Sequence, residues 1–176
     1  MDMLDLLLHP VRLRIVNAMA GGRIRTTSDL CARLPDVPKT SLYRQVALLA
    51  EGGVLEVTEE KRVHGAVERH FRLRRTEIKP EAGAAMSLEE HRRGFAASMA
   101  ALLAEFNTYL DQEGANPYAD SVSYRQGAVW LSPEDLGALL ETMRAALLER
   151  ARLAPSPGRR PYLLSTIFFP LAEDPD

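Results

Sequence analysis

The chain has 176 residues, 46% of them apolar, a formal net charge of −2 and a single cysteine, Cys31. That length suits one generous domain or two small ones with a real core, and no apolar run approaches the roughly 20 residues that a membrane span needs. One thiol excludes an internal disulfide and fits a reducing compartment; with an acidic N-terminus that lacks a basic leader, the expected location is cytoplasmic, away from any membrane.

Residues 6–19, "LLLHPVRLRIVNAM", place Leu7, Val11, Ile15 and Met19 at four-residue intervals and predict an amphipathic helix, with Pro10 tolerated in its first turn and Gly21-Gly22 ending it. "RTTSDLCARLPD" (25–36) offers a Thr or Ser cap, Asp29 in the first turn, and Leu30 and Leu34 as the inward pair of a second helix. After a tight connection between Pro35 and Pro38, a third helix is expected from Lys39 to Glu51, with Leu42, Val46 and Leu49 on its inner side and Gly52-Gly53 as its exit. Residues 54–75 alternate Val, Thr, Phe and Leu with charged residues on both sides of "KRVHGA", which predicts two antiparallel strands with Gly65 in the turn.

"TEIKPEAGAA" (76–85) reads as a connector. Residues 87–112 carry the longest helical signal, an apolar stripe of Phe95, Met99, Leu102, Leu103, Phe106 and Leu110 interleaved with alanines at 96, 97, 100, 101 and 104. Beyond "EGANP", residues 121–131 and 162–171 read as strands flanking a helix at 132–153, whose start is marked by Ser132, Pro133 and Asp135. The fold class expected is α+β, mainly helical. A winged helix-turn-helix fills 1–78; a dimerisation helix and a strand–helix–strand unit fill 79–176.

Charge is divided along the chain. Residues 1–75 hold 13 Lys+Arg against 9 Asp+Glu, whereas residues 76–176 hold 9 against 15, so a polyanion would meet the front half. A helix fits the major groove of DNA, and the residues at its N-terminal end reach base edges first. On that geometry Thr40 and Ser41 suit close approach, Arg44 suits guanine and Gln45 adenine, while Lys39 and Tyr43 suit phosphate oxygens. Lys61, Arg62 and His64 lie at the hairpin tip beside this helix and complete the predicted DNA-contacting set.

"LLLHPVRLRIVNAM", "TTSDLCARLPDVPKTSLYRQVALLAEGGVLEV" and "RVHGAVERHFRL" together resemble the winged helix-turn-helix of ArsR-type bacterial transcriptional regulators, over about residues 4–75. The resemblance implies a homodimer, often a repressor, that reads an inverted repeat in double-stranded DNA with the helix at 39–51 and touches DNA with the wing at 60–67. In such regulators the helix after the wing pairs with its twin, which gives Phe95, Met99, Leu102, Leu103, Phe106 and Leu110 that role. Some members bind metal through a Cys-x-Cys in the second helix; Cys31 matches its first position, but Arg33 stands at the second. A second metal site of the family is matched by Glu89, His91 and Glu105 but has Leu102 at its fourth position. No metal and no cofactor is therefore expected.

Tyr124, Trp130, Tyr162, Phe168 and Phe169 either line the pocket of a small-molecule effector or fill a small sandwich of strands and helix. An enzyme is the competing class, but the chain has no glycine-rich phosphate loop, no Gly-x-Ser-x-Gly elbow and no Cys/His cluster at metal spacing, so no catalytic residue is assigned. A winged helix that serves as a protein-interaction module without DNA remains the alternative.

Overall fold

A computed structural model describes residues 6–63, 66–74, 83–153 and 155–172. Helices α1 (Pro10–Met19), α2 (Thr27–Arg33) and α3 (Lys39–Glu51) are followed by strands β2 (Leu55–Val63) and β3 (Ala66–Leu73), then by α4 (Leu88–Leu110) and α5 (Pro133–Ala151); a short strand, β1 (Ile24–Thr26), precedes α2. The connector at 76–85 lies mostly outside the described residues, as does the turn glycine Gly65.

The strands form one antiparallel sheet in the order β1-β3-β2. Ile24 pairs with Arg72 and Thr26 with His70, while Leu55 pairs with Leu73 and Val63 with Ala66, with a register shift between Val57 and Glu59. The sequence reading took residues 25–36 as the cap and body of the second helix and missed β1. Three residues are too few to show a period of two, and Thr26 has two tasks. It closes β1, and its hydroxyl caps α2 by accepting from the Asp29 N–H while Asp29 accepts from the Thr26 N–H. The hydrogen bond from the Thr26 backbone is also what chiefly holds the Asp29 carboxyl below its ordinary range.

The core lies where the three helices close on the sheet. Leu6, Ile15, Met19, Leu30, Leu34, Leu42, Val46 and Leu49 are buried together with Val54, Leu55 and Phe71. Ile15, Met19, Leu30, Leu34, Leu42, Val46 and Leu49 are inner positions that helical spacing selects, whereas Leu7 and Val11, selected with them, are half-buried; each fully buried aliphatic side chain contributes about 1.5–3 kcal/mol of transfer free energy. The exit of α3 is tight. Gly53 takes a left-handed conformation (φ 74°), and a Cβ on Gly52 would stand 2.0 Å from Leu6 Cδ1 and 3.2 Å from the Leu48 carbonyl oxygen. Gly52→Ala is therefore expected to cost about 1–3 kcal/mol by overpacking, read as a lower midpoint in chemical denaturation.

The chain divides into two compact units, residues 1–112 and 113–176. The division falls after α4, so α4 folds with the helices before it and not with the tail. Ala97 and Ala101 are buried where α4 packs on α1, and Leu8 Cδ2 would lie 2.9 Å from a Cβ on Gly94. Two of the five alanines interleaved with the apolar stripe thus serve the fold of their own chain.

In the second unit α5 begins as expected, with Ser132 and Asp135 exchanging hydrogen bonds and Pro133 at the first helical position. The strands at 121–131 and 162–171 are a correction: none of residues 122–131 or 159–172 belongs to a strand. An extended apolar segment becomes a strand only beside a ladder partner, and among the described residues these two segments have none. No helix of the described residues is long and apolar enough to cross a membrane.

Candidate nucleic-acid interface

Helix α3 is amphipathic, and its two sides are now assigned by burial. Leu42, Gln45, Val46 and Leu49 are buried, whereas Lys39, Thr40, Tyr43, Arg44 and Ala47 are exposed and Ser41 is half-buried. Residues 42, 45, 46 and 49 form one i, i+3, i+4, i+7 stripe, so Gln45 belongs to the inner face. It is only 8% exposed, and its Oε1 is buried without a hydrogen-bond partner. A side chain held there does not read a base, which corrects the assignment of Gln45 as an adenine reader. Lys39, Thr40, Tyr43 and Arg44 share the outer face, with Ser41 half-buried at its edge.

The start of α3 is open. Its N-cap is Pro38, which has no side-chain hydroxyl to offer, and no acidic residue lies in the first turn. The first N–H groups of such a helix point outward with the positive end of the helix dipole, a fit for phosphate oxygens. Helices α2, α4 and α5 are closed instead by capping boxes from Thr26, Ser87 and Ser132.

The wing spends some of its charges locally. Lys61 Nζ lies 3.0 Å from Glu59 and Arg69 Nε 2.8 Å from Glu60, all four side chains being about half exposed. Surface pairs of this kind are worth little, so Lys61 can exchange Glu59 for a phosphate at small cost. Arg62 is exposed on β2 and directly opposite Val67. His64 lies outside the described residues.

Sequence reading missed the charged groups beneath this surface. Arg14 is 3% exposed in its side chain and lies on the inner side of α1. Its guanidinium donates through Nη1 and Nη2 to the Asp36 carboxylate at 2.6 and 2.9 Å, through Nε to Glu105 at 2.9 Å, and through Nη2 to Thr108 Oγ1 at 3.3 Å. Thr108 in turn donates to the Ala104 carbonyl. Burial alone would depress the Arg14 pKa; the bonds to Asp36 and Glu105 outweigh it and raise it. The same contact holds Asp36 below its ordinary value, because Arg14 donates to its ionised form. One buried cation thus fastens α1 to α4 and to the turn that leads into α3. The signal in the sequence was slight: Arg14 stands between Leu13 and Ile15 in a stretch that also holds Arg12.

His9 stands at the N-cap of α1, and its pKa is lowered by burial first and then by Arg12 and Arg44. Its influence from Arg44 places the start of α1 beside the exposed face of α3. Glu105, considered as a metal ligand from spacing, is instead engaged by Arg14, and Cys31 packs half-buried against the core.

On α4 the stripe expected to pair with a twin is divided. Phe95 (50%), Leu103 (61%) and Leu110 (45%) are exposed, whereas Met99, Leu102 and Phe106 are half-buried. Phe106 also stacks on Tyr109 with ring centroids 6.0 Å apart. Of the five aromatic residues of the tail, Phe168 lines a cavity. An open cavity of about 390 Å³ lies against α5, lined by Leu140, Met143, Leu147, Leu148, Thr166 and Phe168 with Arg144, and of the five only Phe168 contributes to it.

Residues 7–58 match a protein-family model described as "Helix-turn-helix domain". The match spans α1 to the start of β2, the stretch that holds the open helix end and its buried support. No curated protein matches the chain. Over residues 7–58 the chain is therefore similar to a helix-turn-helix domain, and a three-stranded antiparallel sheet accompanies these helices.

Proposed function

We propose that the protein is a sequence-specific, DNA-binding transcriptional regulator of the ArsR type, a cytoplasmic repressor that holds an inverted repeat as a homodimer. The observation that carries the reading is the outer face of α3, where Lys39, Thr40, Tyr43 and Arg44 stand exposed around an uncapped helix start within a helix-turn-helix match. Arg44 is the base reader, able to offer guanine two parallel hydrogen bonds. Lys39, the open N–H groups and Arg62 of the wing grip phosphate and set the register. The exposed apolar residues of α4 pair with those of a second copy, because half-sites about one DNA turn apart require a two-fold partner. Relief by a small-molecule effector belongs to the same reading.

Two variants test the contact assignment against a fragment selected from random or genomic DNA. Arg44→Ala is expected to weaken specific binding by about 1–3 kcal/mol and to relax preference at one base pair per half-site. Arg62→Ala is expected to weaken binding to all sequences alike and to lower the slope of log affinity against log salt by about one per site. Gel-shift or anisotropy titrations at several salt concentrations measure both. Parent-like behaviour of both variants would overturn the assignment, and a parent chain with no affinity for duplex DNA at low salt would favour a protein-interaction module.

A further inference from the structure

The second unit, residues 113–176, has apolar side chains but none buried on α5, the helix at its centre. Trp130 is 96% exposed, Leu164 63% and Ile167 43%. Residues 162–164 and 167–169 are consecutive apolar triplets outside any helix or strand. Neighbouring residues of a strand face opposite ways, so in a sheet both faces of this segment would be apolar. Phe168 lies against α5 at the cavity described above, while Leu163, Leu164 and Phe169 are 48–65% exposed.

The missing cover can be sized. Among the described residues of the second unit, 17 large apolar residues are between 36% and 96% exposed, and at roughly 100 Å² each they leave about 1,700 Å² of apolar surface open on each copy. A transient partner covers roughly 800 Å² of a protein, whereas permanent homodimers bury 2,000–5,000 Å² in total or more. Two such surfaces closing on each other reach the permanent range, and a two-fold related copy has the same two apolar segments to offer.

We propose that residues 113–176 complete their fold on a second copy of the chain, with 122–131 and 162–171 becoming strands of a sheet shared between two protomers. Each copy gives its partner the ladder that neither holds alone, and Trp130 becomes buried at the seam. This deepens the homodimer of the proposed function and takes its symmetry from that reading, but its support is the exposed area of the tail and not the DNA-contacting face.

The test uses the full chain, following amide hydrogen exchange together with the emission of Trp130, the sole tryptophan. Where sedimentation gives the two-chain mass, amides of 122–131 and 162–171 are expected to exchange on the order of 100-fold more slowly than in the unfolded chain, and Trp130 emission is expected to be blue-shifted. Both signatures should vanish on dilution to the single chain. Leu164→Glu, which alters a side chain already exposed in the single chain, should abolish them in the two-chain species while α4 still pairs. Fast exchange in two-chain protein, protection that persists in single chains, or a Leu164→Glu protein with parent-like exchange would each overturn the proposal. DNA titration of the same samples keeps the readings apart: exposed tails on a protein that binds its site defeat this inference alone, and protected tails on a protein that ignores DNA defeat only the regulator reading.

Discussion

Arg14→Ala is expected to lower the stability of the first unit by about 3 kcal/mol, the lower end of the usual cost of removing one member of a buried ionic cluster. The estimate is set by what remains. Glu105, at 17% side-chain exposure, keeps a carboxylate with no cation beside it, whereas Asp36, at 51%, regains water easily. At roughly 4–8 °C per kcal/mol for a unit of this size, the thermal midpoint should fall by more than 10 °C. Arg14→Met with Glu105→Met in the same chain should recover most of that loss, because two buried charges leave together. If the single variant melted as the parent does, the cluster would not fasten α4 to the turn before α3.

The same cluster fixes a pH dependence. The Asp36 pKa is depressed below its ordinary 3.8 in the folded chain, chiefly by hydrogen bonds from Arg14. The unfolded chain therefore takes up the proton first as pH falls, and the contribution is fully present above about pH 4 and lost as pH drops through the depressed value. In Arg14→Ala that component should disappear, leaving a shallower fall in stability below pH 4, as followed by circular dichroism.

Much of the first unit was legible because its physics is local. Gly52-Gly53 and Pro38 punctuate α3 to the residue, and the spacing of Leu42, Val46 and Leu49 marks its inner face. What escaped depends on partners far along the chain. Gln45 looks exposed in a polar run, yet it lies one turn from Leu42 and Leu49 on the same side. Arg14 finds Glu105 across 91 positions, a separation no periodicity reveals. β1 exists because β3 offers it an edge, and the tail segments stay outside any sheet because nothing among the described residues does the same for them. Helices carry their hydrogen bonds with them, whereas strands borrow theirs.

The expected effect of Leu103→Glu follows from the divided stripe on α4. Leu102 and Phe106 are half-buried within their own chain, so a charge there would damage the single-chain fold and the pairing together. Leu103 is 61% exposed, so a glutamate at that position leaves the single chain undisturbed and sets like charges against each other across a two-fold axis. Affinity for an inverted repeat should fall on the order of 100-fold, since the second half-site is no longer engaged at the high effective concentration that rigid pairing gives. Binding to an isolated half-site should be unchanged. Mass is the weaker readout, because the tails offer the chain a second place to associate. Spacing is the sharper one: paired α4 helices hold two copies of α3 about 34 Å apart and demand half-sites one turn apart, whereas a variant joined only through its tails should accept half-sites moved by several base pairs. A Leu103→Glu protein that kept both the parent affinity and the parent's strict spacing would place the two-fold contact elsewhere than on α4.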